Sequence, residues 1–172
     1  DVLIDVPGIT VTINSDPVVS SLNSAAGIVI ANSSLTVTAS SVIDGDLTVN
    51  PGESLTADGV GVTVTVNGAA TVNGALLAAL NGAVINLPTA PSFNDSRLTI
   101  QGAGATINAA AVTDVDAARF SVSDGGTFTL AAGATSHTSS SGMGISEKRT
   151  LFSAEGAGTV LDLSALQSVT AT

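Results

Sequence analysis

The sequence predicts an all-β chain that winds as a right-handed parallel β-helix, with about six turns of roughly 26 residues and two loop insertions. Three observations lead to this prediction. Apolar and polar residues alternate in short runs, one phrase of sequence recurs along the chain, and clusters of turn-forming residues separate the runs. Together they favour one repeat domain over residues 1–172.

The recurring phrase has apolar residues at alternate positions, with Thr at most of the others. Its copies are ITVTI (9–13), LTVTA (35–39), VTVTV (62–66), LTIQG (98–102) and TFTL (127–130). Val160 begins a sixth copy, in the place of the first outward Thr. The intervals from the third copy to the fourth and from the fifth to the sixth are the longest, which predicts loop insertions at 87–96 and 136–144. Such a fixed period is typical of solenoids.

The units read as strands and not as helices. Apolar residues recur at every second position, and Gly, Asn, Asp or Ser clusters interrupt each run. Even ALLAALNGAVINL (75–87) favours strands, because Gly82 and the β-branched residues after it oppose a helix. Short strands without helical crossovers are best explained by a parallel β-helix, in which each turn stacks about 4.8 Å from the turn before.

Composition excludes several classes of function. The chain has 14 acidic residues, four Lys plus Arg and a net charge of −10, which oppose binding to nucleic acid or to an anionic membrane surface. It lacks cysteine, and no apolar run is long enough to predict a transmembrane segment.

The alternation places apolar residues inside and Thr outside. Stacking at the phrase period predicts one exposed column of Thr10, Thr36, Thr63, Thr99 and Thr127. A second would contain Thr12, Thr38, Thr65, Gln101 and Thr129. Such columns are candidates for binding, although Thr is also an ordinary outward residue on a β-helix. Phe93, in the predicted insertion at 87–96, is the one aromatic residue expected to be exposed and is a further binding candidate.

The chain resembles the β-helical regions of secreted bacterial proteins. The resemblance is carried by the LTV and TVT phrases, by NG or DG turns at 67–68, 73–74, 81–82 and 124–125, and by LFSAEGAGTVLDLSAL (151–166). Autotransporter and adhesin passengers are similar and share the pectin-lyase-like solenoid. The resemblance implies an extracellular or cell-surface location. Proteins with this fold include adhesins, polysaccharide lyases and hydrolases, tailspikes and ice-binding proteins.

Few side chains suggest chemistry. Asp44 with Asp46, and Asp114 with Asp116, are candidate calcium ligands, but each pair supplies two side chains where calcium takes six to eight oxygens. Solvated turn acids are the simpler interpretation, so no cofactor is expected.

Two further residues, His137 and Lys148, are each expected in an exposed loop without a chemical role. His137 is the only histidine and is expected in an exposed loop, without a catalytic partner. Lys148 is expected in a charged loop and not in an isopeptide crosslink.

These observations predict a non-catalytic, extracellular structural or adhesive module of a bacterial surface protein or fibre. The first alternative is a polysaccharide-active enzyme that uses Asp114, Asp116 and Arg119. The second is an ice-binding solenoid that uses the Thr columns. Because solenoid ends are open edges, we expect further repeats or a second copy stacked head to tail to cover them. Glycans or a host surface are the other expected partners.

Overall fold

The chain forms a parallel β-solenoid. The computed structural model describes residues 1–139 and 150–171, and this part of the chain contains no helix. All of its paired strands are parallel, and each turn contributes one segment to each of three faces, here named A, B and C in chain order. The seven strands of face C are separated by six steps, so the solenoid has about six turns. The predicted fold class is confirmed.

Face A is a six-stranded sheet that a further pair of strands continues. The sheet contains, in order, β1 (Val2–Ile4), β4 (Leu22–Ser24), β7 (Ser41–Ile43), β10 (Thr63–Val66), β13 (Val84–Asn86) and β15 (Thr106–Asn108). The further pair is β17 (Thr127–Thr129) with β20 (Val160–Asp162). The Thr127 N–H donates to the Ala105 carbonyl at 2.9 Å, which joins this pair to the sheet.

Face B is the least regular of the three. It begins as a four-stranded sheet of β2 (Thr10–Ile13), β5 (Gly27–Ile30), β8 (Leu47–Val49) and β11 (Ala70–Thr71). A single parallel bridge between Ser92 and Asp114 follows. The face ends with the pair β18 (Ser136–Ser139) and β21 (Ser168–Ala171).

Face C is the longest continuous sheet. Its strands are β3 (Val18–Val19), β6 (Ser34–Val37), β9 (Ser54–Asp58), β12 (Leu76–Leu80), β14 (Arg97–Gln101), β16 (Arg119–Ser123) and β19 (Phe152–Glu155). As predicted, residues 75–87 form strands, because β12 and β13 lie within that segment.

The length of one turn differs from the prediction. Partner residues lie 17 to 20 positions apart up to the pairing of β6 with β9. They lie 21 to 23 apart from there to β16. In the last turn the step is 32 or 33. The predicted period is therefore wrong, and a turn takes about 22 residues.

The predicted insertions have different outcomes. The longer last step confirms extra chain in that turn, although residues 140–144 of the predicted segment lie outside the described residues, and Ser136–Ser139 is strand β18. The insertion predicted at 87–96 is wrong. That segment belongs to a turn of ordinary length, in which Ser92 pairs with Asp114.

The core consists of apolar side chains stacked in register along the axis. On face C one interior column contains Leu35, Leu55, Leu77, Leu98, Phe120 and Phe152. The rings of Phe120 and Phe152 stack with centroids 5.8 Å apart. Leu35 and Val37 point inward as predicted and are buried. Each fully buried Leu contributes about 2 kcal/mol of burial free energy, so the columns stabilise the coil.

Glycine permits close stacking at the corner between faces A and B. A Cβ on Gly45 would lie 2.4 Å from the carbonyl carbon and oxygen of Ala26 in the turn before. A Cβ on Gly68 would lie 2.4 Å from the Gly45 carbonyl oxygen in the same way. Successive backbones therefore approach at this corner more closely than any side chain allows.

The first turn leaves its interior side open at one end. Val2, Ile4, Val11, Ile13 and Val19 are only partly buried, although they pack against the core. They contribute to the lining of an apolar opening of about 260 Å³. At the other end Phe152, Leu161, Leu163 and Leu166 are partly buried too. Both ends of the described stack therefore leave interior surface accessible.

Candidate functional site

The predicted Thr columns do not form, because their members lie on different faces. Thr10 and Thr12 are on face B, and Thr36, Thr99 and Gln101 are on face C. Thr38 follows β6 immediately and is also exposed. Thr63, Thr65, Thr127 and Thr129 are on face A. All nine Thr side chains point away from the core, as predicted. The prediction that they align into two columns is wrong.

The reason is that the first three copies recur at every fourth strand segment, while a turn has three segments. From Thr10 on β2 the next copy lies on β6, and the following copy lies on β10. Four segments of about seven residues account for the interval of roughly 26 residues between these copies. The phrase therefore advances by one face at each of these recurrences. Only Val160 occupies its predicted place, since it pairs with Thr127 one turn later.

Phe93 is buried, contrary to the prediction of an exposed binding residue. Its side chain is 1% exposed and belongs to the core. Its N–H donates to the Asp114 carbonyl at 2.8 Å, which fixes the segment against the next turn. An aromatic ring in a proline-containing segment resembles a loop tip in sequence, but here the segment completes the interior of face B.

The carboxylates lie between turns and bind the neighbouring turn. Asp44 accepts from the Asn67 side-chain amide at 2.7 Å, and Asp46 accepts from the Ala69 N–H at 2.8 Å. Within residues 1–139 and 150–171, nine acidic side chains accept such a bond from a residue 18 to 23 positions away. They are Asp1, Asp16, Asp44, Asp46, Glu53, Asp58, Asp114, Asp116 and Asp124.

Asp114 and Asp116 follow the same rule and do not meet Arg119. Asp114 accepts from the Ser92 hydroxyl at 3.1 Å and from the Asn94 amide at 3.3 Å. Asp116 accepts from the Thr138 N–H at 2.6 Å. Among the described residues, no three His, Cys, Asp or Glu side chains gather where they could hold a metal ion. These two carboxylates hold turns together.

The pKa of Asp162 is lowered by hydrogen bonds within its own turn. The side chain and the backbone N–H of Ser164 hydrogen-bond to it and lower the pKa of the carboxyl. The N–H to Oδ1 distance is 2.9 Å. This arrangement is a local turn that Ser164 completes.

His137 is buried, contrary to the expectation of an exposed loop. It lies on β18 in register with Val169 and is 0% exposed. Its Nε2 lies 2.9 Å from the Ala118 carbonyl, which requires that nitrogen to carry the proton. The ring meets Phe152 edge-on at 4.9 Å between ring centroids, and Nδ1 has no hydrogen-bond partner within the described part of the chain. Lys148 lies outside the described residues.

Two arginines that the predicted period does not bring together line a cleft on face C. Arg97 begins β14, Arg119 begins β16, and the two are direct partners in register. With neighbouring hydroxyls they line a cleft of about 260 Å³, whose residues are Arg97, Arg119, Phe120, Ser121, Thr150 and Ser153. The sequence does contain a signal for this pair, because Arg97 and Arg119 are separated by one true turn of about 22 residues. The predicted period of roughly 26 residues does not place the two arginines in register.

Comparison with known proteins adds no identity to this geometry. No model of a known protein family matches the chain, and no curated protein or solved structure matches it. The resemblance to adhesin passengers and pectin-lyase-like proteins therefore stays a prediction, while the β-solenoid itself is established by the strand pairing. No helix among residues 1–139 and 150–171 has the length and apolarity needed to cross a bilayer.

Proposed function

We propose that the chain is a non-catalytic structural or adhesive β-helix module of a bacterial extracellular surface protein or fibre. The observation that carries this proposal is the engagement of the carboxylates. Nine acidic side chains accept hydrogen bonds from an adjacent turn, as Asp116 does from Thr138. A catalytic site needs acids, bases and ligands that converge on a substrate. Here these groups are distributed along the stack.

The open ends support a role in a longer stack. The interior of the first turn, at Val2, Val11 and Val19, is half-exposed and apolar. One further turn of the same kind would cover it and extend each strand ladder. That turn could belong to the same polypeptide or to a second copy. Burial of apolar area is worth about 25 cal/mol per Å², so covering this surface contributes favourably to such stacking.

The ice-binding alternative loses its geometric basis. It required Thr side chains in a flat array on one face. Instead, the predicted members are divided among faces A, B and C. The enzyme alternative required Asp114, Asp116 and Arg119 to converge, and the two carboxylates are engaged with Ser92, Asn94 and Thr138 instead.

An assay of Asp116→Ala separates a structural carboxylate from a catalytic one. The wild-type chain is incubated with polygalacturonate and calcium, and unsaturated products are followed by ultraviolet absorbance. We expect no product. Asp116→Ala should instead lower the free energy of unfolding by about 1–3 kcal/mol, because the part-buried Thr138 N–H loses its acceptor.

The matched control is Asp5→Ala, since Asp5 is exposed and accepts no hydrogen bond from the described chain. Its unfolding free energy should change by less than about 0.5 kcal/mol. Calcium-dependent product formation by the wild type that Asp116→Ala abolishes would contradict the proposal.

A further inference from the structure

The arginine pair on face C is an unusual arrangement in this chain. Arg97 and Arg119 occupy directly opposed positions on neighbouring parallel strands, where like charges are destabilising. The chain carries 14 acidic residues and only four cations. Even so, neither guanidinium group has an ion pair or hydrogen bond to the described residues. Local arrangements that oppose the general pattern of a fold are expected mainly at functional positions.

Among the described residues, those that line the cleft with the pair include no acidic side chain. In the same outward column, Ser54 and Leu76 precede Arg97 on β9 and β12. The adjacent column supplies Ser121 and Ser153, whose hydroxyls are hydrogen-bonded to each other at 3.2 Å. Only one of the two hydroxyl hydrogens is used in that bond, so the other remains available to another acceptor.

These groups form one concave surface rich in donors. The cleft of about 260 Å³ places both guanidinium groups beside Ser121 and Thr150. Neighbouring strands lie about 4.8 Å apart, so one small anion can reach both arginines. A carboxylate has two oxygens, which one guanidinium group already satisfies in a bidentate pair. A sulfate or phosphate ester has three terminal oxygens and can bridge two guanidinium groups and a hydroxyl.

We infer that Arg97, Arg119 and Ser121 form a binding site for a tetrahedral oxyanion, the sulfate or phosphate group of an ester. An anion bound there neutralises the charge of the two arginines and removes their repulsion. Anion binding therefore explains why they occupy directly opposed positions. The inference concerns binding alone and holds whether the module is structural, adhesive or catalytic. Its failure would therefore leave the proposed function untouched.

Four ligands that differ at one carbon test the chemistry. Glucose 6-sulfate, glucose 6-phosphate, glucuronate and glucose are titrated into the ¹⁵N-labelled chain at constant ionic strength, and amide and arginine Nε shifts are followed by NMR. Both esters should bind and shift the signals of Arg97 and Arg119. Glucuronate should bind at least about tenfold more weakly, and glucose should not bind.

Binding of only one ester identifies the source of the oxyanion as a sulfated or a phosphorylated molecule. Equal binding of glucuronate and the esters would overturn the preference for a tetrahedral group. The absence of binding by both esters would overturn the site.

Substitutions at the pair test its residues. Arg97→Gln and Arg119→Gln should each weaken ester binding about tenfold or more, since each removes a charged donor pair. Arg119→Lys keeps the charge but loses the fork, so its effect should be intermediate.

The matched control is Val60→Glu, which changes the net charge by the same amount as either glutamine variant. Val60 is 92% exposed in the turn after β9, at the opposite end of the face C strands. Its effect on binding should be less than about twofold. Equal losses in Val60→Glu and Arg119→Gln would show a general charge effect and overturn the assignment.

Discussion

The central turns and the first turn of the solenoid follow the same pattern but differ in burial. On face B, Ile30 of β5 is 0% exposed, whereas its register partner Ile13 of β2 is only partly buried. The residue type, the face and the inward direction are the same for both. The difference arises because Ile30 has a turn on each side and Ile13 has one. A turn in this molecule therefore completes its core only when both of its neighbours are present.

The largest expected effect tests this difference directly. Ile30→Ala should lower the free energy of unfolding by roughly 2–5 kcal/mol, because it leaves a cavity between two packed turns. Ile13→Ala should cost about 1 kcal/mol, since its side chain is already partly in contact with water. Urea unfolding followed by circular dichroism measures both. Equal losses would show that the first turn is as well packed as the second.

A smaller effect concerns association through the open first turn. If a second copy stacks there, the sedimentation coefficient of the wild type should rise over roughly a hundredfold range of concentration. Val11→Glu puts a charge into the apolar opening and should abolish that rise. Val42→Glu makes the same change on the outer side of face A, where Val42 is 37% exposed, and should behave as the wild type. A wild-type monomer at every concentration would exclude self-stacking.

The fold class was predictable because its signal is local. In a phrase such as LTVTA at 35–39, alternation alone shows that Leu35 and Val37 face inward, and both are buried. Frequent turn residues and the lack of helical periodicity exclude most other architectures. These features depend on neighbouring residues and need no knowledge of which strands pair.

The period was not predictable in the same way, because pairing depends on the number of strands per turn. All three faces use similar alternating phrases, so the best-matching copies need not be neighbours in space. Thr36 resembles Thr63 in sequence, yet it pairs with Val18 and Thr56. Close backbone approaches at the corners, as at Gly45 against Ala26, likewise exist only between turns that are neighbours in space.

The wrong period also explains the errors at the candidate site. The predicted period places Phe93 in a loop insertion that the true period does not require, whereas the residue lies in the core. His137 lies in a serine-rich segment of polar composition, yet its strand pairs with β21 and turns the ring inward. Arg97 and Arg119 become neighbours only when the true length of a turn is used.

Equivalent positions of this solenoid are separated by about 22 residues and not by the interval between similar phrases. Disulfide formation between introduced cysteines tests it most directly, because the chain has no cysteine of its own. Thr36 and Thr56 are direct partners on face C, and a disulfide requires Cα atoms about 4.4–6.8 Å apart. Thr63 lies on face A. We expect rapid oxidation of the double variant Thr36→Cys/Thr56→Cys and no intramolecular disulfide in Thr36→Cys/Thr63→Cys. The reverse result would contradict it.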